Sequence, residues 1–403
     1  MSNLPQGWEV KTLSEIGEIV TGSTPSKSNL DFYGKDYPFF KPSDFEQGYF
    51  LENAGDNLSK LGFDKARQLP PKTILVVCIG SLGKVALTKV IGSCNQQINA
   101  IIPHKNIISE YIYYYCISSK FQSILFSKAP QTTLAILNKT EFSKLEIIYP
   151  KDIKEQERIV GILDFAFSKI DENIKKAKEN LANIDELMQS ALQKAFNPLN
   201  DNTKENYQLP QSWEWKSLGD TSNYGKTSQV KPGQLKGNDW ILELEDIEKE
   251  SGVLLQKVLF QDRQSKSNKI KFNKGDILFG TLRPYLKKVI IADDNGACSS
   301  EIMPFSTGNS ITNHFIYYYL FANFLHDRIS SLTYGARMPR LGTKDGKSLQ
   351  IPLPPLQEQE QIAEHLDFVF EKAKALKELY TKELKDYEEL KQSLLDKAFK
   401  GEL

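Results

Sequence analysis

The chain has 403 residues, of which 40% are apolar and 11% aromatic, so it is too long for one ordinary domain and too apolar for wholesale disorder. Its formal charge is zero, which excludes a uniformly basic or acidic surface. Cys78, Cys94, Cys116 and Cys298 stand far apart without a Cys-x-x-Cys pair, which argues against a zinc site or disulfide framework.

Met1-Ser2-Asn3-Leu4-Pro5-Gln6 has neither the basic nor the apolar stretch of a secretion signal. The apolar run Ile74–Ile79 is far short of the ~20 residues that span a bilayer, and the scattered cysteines fit a reducing compartment, so a cytoplasmic protein is expected. Short β-type runs follow at Pro38–Phe40, Thr73–Ile79, Val85–Val90, Asn99–Ile102 and Glu146–Tyr149, with one helix expected over Ser109–Phe126. Polar, Gly-punctuated loops separate them at Thr21–Ser28, Gly80–Lys84, Cys94–Asn99 and Lys128–Thr140.

Lys154–Phe196 has no proline, one glycine and many strong helix formers. Its apolar positions, Ile159, Leu163, Ala166, Ile170, Ile174, Ala177, Leu181, Ile184, Met188, Ala191 and Ala195, step mostly by fours and threes, as in a coiled-coil seam. Pro150 precedes it, Asp152 and Glu155 are spaced as a capping box, and Asn197-Pro198 stops it.

The second half brings strand-like runs at Trp240–Leu244, Asp276–Phe279, Lys288–Ile291 and Leu349–Leu353, and one expected helix over Asn313–Leu332. Its loops are Gly225–Gly233, Gly280–Lys288, Cys298–Glu301 and Tyr334–Gly346. A second long helix opens at Pro354-Pro355 and ends at Gly401. Its expected seam is Ile362, Leu366, Val369, Ala373, Leu376, Tyr380, Leu384, Tyr387, Leu390, Leu394 and Ala398.

The chain is written twice. Leu4–Leu13 returns as Leu209–Leu218 with seven of ten positions identical, Tyr111–Tyr115 returns as Phe315–Tyr319, and Lys154–Phe196 aligns without gaps on Gln357–Phe399 with 18 of 43 identical. Identity gathers at the ends of the long segment and vanishes over Asn173–Asn180. The intervening regions share little but pattern. Two matched frames with different centres suggest one geometry presenting two readouts. The expected architecture is α+β, with two globular domains joined by two long antiparallel coiled-coil helices of ~64 Å each. The boundaries are 1–150, 151–200, 201–353 and 354–403.

Charge supports a nucleic-acid reading. The segments 1–150 and 209–353 carry +2 and +4, while 151–208 and 354–403 carry −2 and −4, and Lys257–Lys288 holds nine basic against two acidic residues. Arg283, Arg337 and Arg340 have the planar donors that grip guanine, and Asn95, Gln96 and Gln97 suit adenine. Lys84, Lys287 and Lys344 suit phosphates. With Ser26, Lys27, Ser81, Lys226 and Lys231 from the same loops, these are the candidate DNA contacts.

No catalytic set emerges. Gly80-Ser81-Leu82-Gly83-Lys84 lacks the first glycine and the final hydroxyl of a phosphate loop. Asn197-Pro198-Leu199 lacks the remainder of a methyltransferase motif, and Glu383-Leu384-Lys385 has no nuclease partner. His104, His314, His326 and His365 show no metal-ligand spacing, so neither metal nor cofactor is expected. A structural adaptor binding proteins through both domains is the alternative reading.

Leu-Pro-x-x-Trp-Glu, Thr24-Pro25-Ser26 with Tyr33-Gly34 and Pro38-Phe39-Phe40, Leu282–Lys287, Ile351–Gln359 and the closing Ala398-Phe399-x-Gly401-x-Leu403 together resemble the specificity subunit of type I restriction–modification systems. The resemblance covers essentially the whole chain, departing at Tyr149–Asp152, where the family has Pro-Leu-Pro-Pro. It implies a non-catalytic subunit whose two target recognition domains each read half of an asymmetric bipartite site in double-stranded DNA. The helices would hold the spacing and dock two methyltransferase subunits, with restriction/translocase subunits joining the full complex. The repeated helix ends, Glu155, Gln156, Phe165 and Phe196 with Glu358, Gln359, Phe368 and Phe399, are the expected docking residues.

Overall fold

A computed structural model of the chain describes residues 4–129, 135–201 and 207–403. Positions 130–134 of the Lys128–Thr140 loop lie outside the described residues. Among these residues the helices of seven or more are α1 (Ser109–Ile117), α2 (Ser119–Lys128), α3 (Ile153–Phe196), α4 (Asn313–Tyr319), α5 (Asn323–Leu332) and α6 (Leu356–Ala398). The chain falls into two compact units. Unit 1 holds the residues up to Ala177 together with Lys382–Leu403, and unit 2 holds Lys178–Thr381. Each unit is therefore built from one α+β region, the near half of its own long helix and the far half of the other.

In unit 1 a five-stranded sheet runs in the order Gly17–Thr21, Ile98–Pro103, Ile74–Val77, Val85–Thr88, Phe50–Leu51, and a three-stranded sheet joins Asp56–Leu58, Tyr33–Phe40 and Ser93–Cys94. Ile74–Val77 is fully buried, as a central strand of β-branched and aliphatic residues should be. The opening Trp motif forms the strand Trp8–Thr12, paired antiparallel with Glu146–Pro150, the strand that leads into α3. In unit 2 its repeat, Glu214–Ser217, pairs antiparallel with Gln350–Leu353, which leads into α6. Sheets of four and three strands and the two-stranded hairpin of Thr333–Tyr334 with Arg340–Leu341 complete unit 2.

Each helix expected over 109–126 and 313–332 is in fact two. Ser118 breaks the first because its hydroxyl accepts from the Phe121 amide and caps α2. At the matching break Ala322 is extended, with φ −67° and ψ 129°.

Within each unit the long helices run antiparallel. In unit 1 Arg158 Nη2 donates to the Leu403 carbonyl at 2.8 Å and Lys391 pairs with Asp171 at 2.5 Å. In unit 2 Lys377 pairs with Asp185, and Ile184, Met188 and Ala373 form a buried cluster. None of the expected seam positions of α3 is exposed.

The seam expected for α6 needs correction at two places. Leu376 and Leu390 are 41% and 46% exposed. The inward positions are Lys377 and Lys391, which match Ile174 and Met188 in the repeat. Lysine stems can lie along apolar surface while the ammonium reaches an aspartate across the seam. The capping box is half formed, since Asp152 Oδ1 accepts the Lys154 amide at 3.0 Å whereas Glu155 turns to Arg158.

Candidate DNA-reading loops and helix faces

In unit 2 the strands Ile277–Gly280 and Val289–Ile291 pair antiparallel, and the loop between them carries Arg283. Arg283 and Lys287 are both left-handed, with φ 49° and 45°, flanking the 3-10 turn Pro284–Leu286. Such a conformation disfavours any side chain with a Cβ, so surrounding contacts must impose it. Arg283 N donates to Pro339 O at 2.7 Å and Leu341 N to Thr281 O at 2.9 Å. A bridge sets Leu282 opposite Arg340. These bonds bring exposed Arg283 to the hairpin that carries Arg337 and half-buried Arg340. Tyr285, Tyr334 and Met338, 49%, 60% and 53% exposed, lie on the same two loops.

Lys226 and Lys344 flank a second contact, because Gly225 packs so tightly on Thr343 that an added Cβ would collide with its Cγ2. Both lysines and Lys231 are exposed. Lys287 is a correction. It is 6% exposed, and its ammonium donates to Phe321 O at 3.1 Å and to Asn323 Oδ1, so it does not face phosphate.

Unit 1 has the corresponding hairpin, Ile74–Val77 with Val85–Thr88. Its connection carries exposed Ser81 and is held by Leu137 N to Cys78 O at 2.9 Å. Gly80–Lys84 is a turn, with Gly80 and Gly83 at φ 81° and 89° and Gly83 N bonded to Val77 O. Ser26 and Lys27 are exposed on a loop tied to the Cys94–Asn99 loop through Thr24 Oγ1 and Gln96 Oε1 at 2.5 Å.

Three unit 1 assignments need correction. Asn95 is buried and its amide donates to Gln97 Oε1 at 2.8 Å, so the outward amide is that of Gln96. Gln97 is itself half-buried, its Nε2 turned to Ile79 O at 3.4 Å. Lys84 pairs with Glu46, which a phosphate would have to displace. Exposed Arg67 joins the cluster unforeseen, its guanidinium on Thr21 O and its amide on Ser23 Oγ, with no sequence motif to mark it.

The repeated helix residues divide into two kinds. Gln156 and Gln359 are fully buried staples. Gln156 Oε1 accepts Ile108 N at 2.9 Å while Nε2 donates to Pro150 O at 2.9 Å. Gln359 takes Thr312 N at 2.9 Å and donates to Pro354 O at 2.8 Å. Phe196 is buried on Phe315 and Tyr319, and Phe399 on Tyr111 and Tyr115. These four hold the frame and are withdrawn as docking residues. Phe165 and Phe368, at matching positions, are 69% and 59% exposed. Glu155 and Glu358 are half-buried. In unit 2 Glu358 lines a groove between α3 and α6 together with Leu187, Ala191, Ile362, His365 and Val369.

All four thiols are buried, and burial pushes Cys78 and Cys94 up to about 12, which keeps them protonated. No group of three or more His, Cys, Asp or Glu is placed to hold a metal, and no helix is long and apolar enough to cross a membrane, among the described residues.

The family model described as the type I restriction modification DNA specificity domain matches residues 5–183 and again 210–385. The chain belongs to the type I restriction–modification DNA specificity family. The double match falls on the two halves of the repeat. The HindI specificity subunit of Haemophilus influenzae is 39% identical over 176 residues, covering 42% of this chain and 38% of that protein. The MjaIX specificity subunit of Methanocaldococcus jannaschii is 29% identical over 229 residues, covering 55% and 52%. The chain thus matches about half or less of the length of these two relatives. The EcoDI specificity subunit of Escherichia coli is 23% identical over 424 residues, covering 99% of this chain and 89% of that protein. Among solved structures, a chain from a study of assembly and conformational transition of the type I R-M system superposes with TM-score 0.78 at 18% identity, covering both chains fully. The HsdS subunit from Thermoanaerobacter tengcongensis gives 0.53 at 20% identity, covering 99% and 98%. At these identities the likeness is one of fold.

Proposed function

We propose that this chain is the non-catalytic subunit that reads an asymmetric, bipartite sequence in double-stranded DNA and directs a type I restriction–modification complex to it. The observation that carries the reading is the repeated frame bearing two unlike loop sets. Unit 2 offers Arg283, Arg337 and Arg340, whereas unit 1 offers Ser26, Lys27, Ser81, Arg67 and Gln96. Unlike loops on like frames favour two different half-sites over a palindrome.

The target recognition domains are 1–150 and 201–353 in this reading, with 151–200 and 354–403 as the two frame helices. Helix length sets the number of base pairs between half-sites. Two methyltransferase subunits dock on the matching faces around Phe165 and Phe368, restriction/translocase subunits complete the complex, and it works in the cytoplasm. Electrophoretic mobility shift with this chain and its methyltransferase partner on randomised duplexes tests the reading. Selective retention of one bipartite sequence supports it. Partner binding without any sequence preference would favour the adaptor alternative.

A further inference from the structure

The arginine-bearing loop of unit 2 is anchored from within. Lys287 closes that loop and sends its ammonium inward to Phe321 O and Asn323 Oδ1, at the break between α4 and α5. The same break is held from α3, since Gln189 Nε2 donates to Phe321 O at 3.2 Å and Gln189 Oε1 accepts Asn323 N at 3.0 Å. A continuous chain of hydrogen bonds thus runs from the loop to the helical frame.

Unit 1 repeats the frame half of this arrangement. Gln392, the repeat of Gln189, accepts Ser119 N at 3.0 Å and donates to Ile117 O at 3.5 Å, at the break between α1 and α2. The loop half is built differently. Gln122 Nε2 donates to Gly83 O in the loop at 2.9 Å and to Cys116 O at 2.6 Å. His326 occupies the matching position in unit 2 and reaches Leu320 O at 2.6 Å, leaving the loop to Lys287.

Packing alone does not account for Lys287. A methionine would fill similar space without desolvating a charge, and burying an ammonium is costly unless it is paired and hydrogen-bonded, so packing alone gives no reason for a lysine here. What it holds lies four residues from Arg283, in a loop whose left-handed turns are imposed by their surroundings. Bidentate readout of a base tolerates little displacement of the donors.

We infer that Lys287 in unit 2 and Gln122 in unit 1 are positioning residues for base discrimination, each fixing the reading loop of its own unit to the helical frame without touching DNA. This rests on the DNA-reading assignment above. The test is selection on a randomised bipartite duplex library with the assembled methyltransferase complex, scoring discrimination at each half-site. K287M should lower discrimination roughly tenfold in the half read by unit 2 and leave the other within about twofold. Q122M should do the reverse. N323A, at an exposed site, removes one acceptor and should reproduce part of the K287M effect without the risk of misfolding. K287M with undiminished discrimination, or with equal loss in both halves, would overturn the inference. Should K287M not fold, unchanged discrimination in N323A overturns it. A wild-type complex that selects no sequence would instead remove the DNA-reading assignment itself.

Discussion

Phe399, in the closing turn after α6, packs edge-on against Tyr115 of unit 1 with ring centroids 4.9 Å apart, and its repeat Phe196 meets Tyr319 of unit 2 at 5.1 Å. The end of each long helix therefore plugs the core of the unit in which the other long helix begins. This explains why Lys-Ala-Phe recurs at both helix ends. The aromatic fills a pocket lined by the repeated Tyr-rich helices α1 and α4.

That arrangement makes stability separable. Phe399→Ala should destabilise unit 1 by about 3–5 kcal/mol through loss of a buried aromatic. Hydrogen exchange read by mass spectrometry should rise over Ser109–Lys128 and stay unchanged over Asn313–Leu332, with Phe196→Ala giving the opposite pattern. Equal loss of protection in both regions for either variant would contradict it.

The exposed helix aromatics should behave otherwise. Replacing Phe165 and Phe368 together by Ser touches no buried contact, so thermal stability should move by no more than about 0.5 kcal/mol. Retention of methyltransferase on size exclusion should nevertheless fall markedly. A complex that survives at wild-type strength would place docking elsewhere.

Arg283→Ala should relax preference in one half-site only, with about 1–3 kcal/mol of discrimination lost if the guanidinium grips a guanine. Competition binding with duplexes altered one base pair at a time measures this. A uniform loss across all duplexes would make Arg283 a phosphate contact.

Unit 2 should be more sensitive to acid than unit 1. Burial, helped by the Lys287 ammonium, pulls the His326 imidazole from 6.5 down to about 4, while its bond to Leu320 O acts the other way. Below 6.5 the unfolded imidazole binds a proton that the folded one refuses until about 4. This contribution is therefore whole above the unfolded value and is lost as pH falls towards the folded one, on the order of 3 kcal/mol in total. His326→Gln, which installs the residue that unit 1 carries at this position, should flatten the acid limb of a urea denaturation series. An unchanged limb would show that another group controls it.

The frame was legible because helices and duplications leave periodic marks. The α3 seam could be read from Ile159 to Ala195, and the matching helix ends from their identities. The α6 seam misled at Leu376 and Leu390 because Lys377 and Lys391 bury only their stems, which an apolar pattern does not register. Identity between the two copies also points to docking at Gln156, Gln359, Phe196 and Phe399, although the same identities arise when both copies must staple their own fold. At the loops, residue type suggested donors but not direction. Lys287 turns inward to carbonyls and Asn95 to Gln97, whereas Arg67 gains its place only through tertiary contact with Thr21 and Ser23.

Whether this chain chooses an asymmetric bipartite target for a methylating complex is decided by single-molecule methylome sequencing of the host, with and without this gene. One methylated motif of two unlike half-sites separated by unspecified bases should be present with the gene and absent without it. Methylation that is unchanged by deleting the gene, or confined to continuous or palindromic motifs, would contradict it.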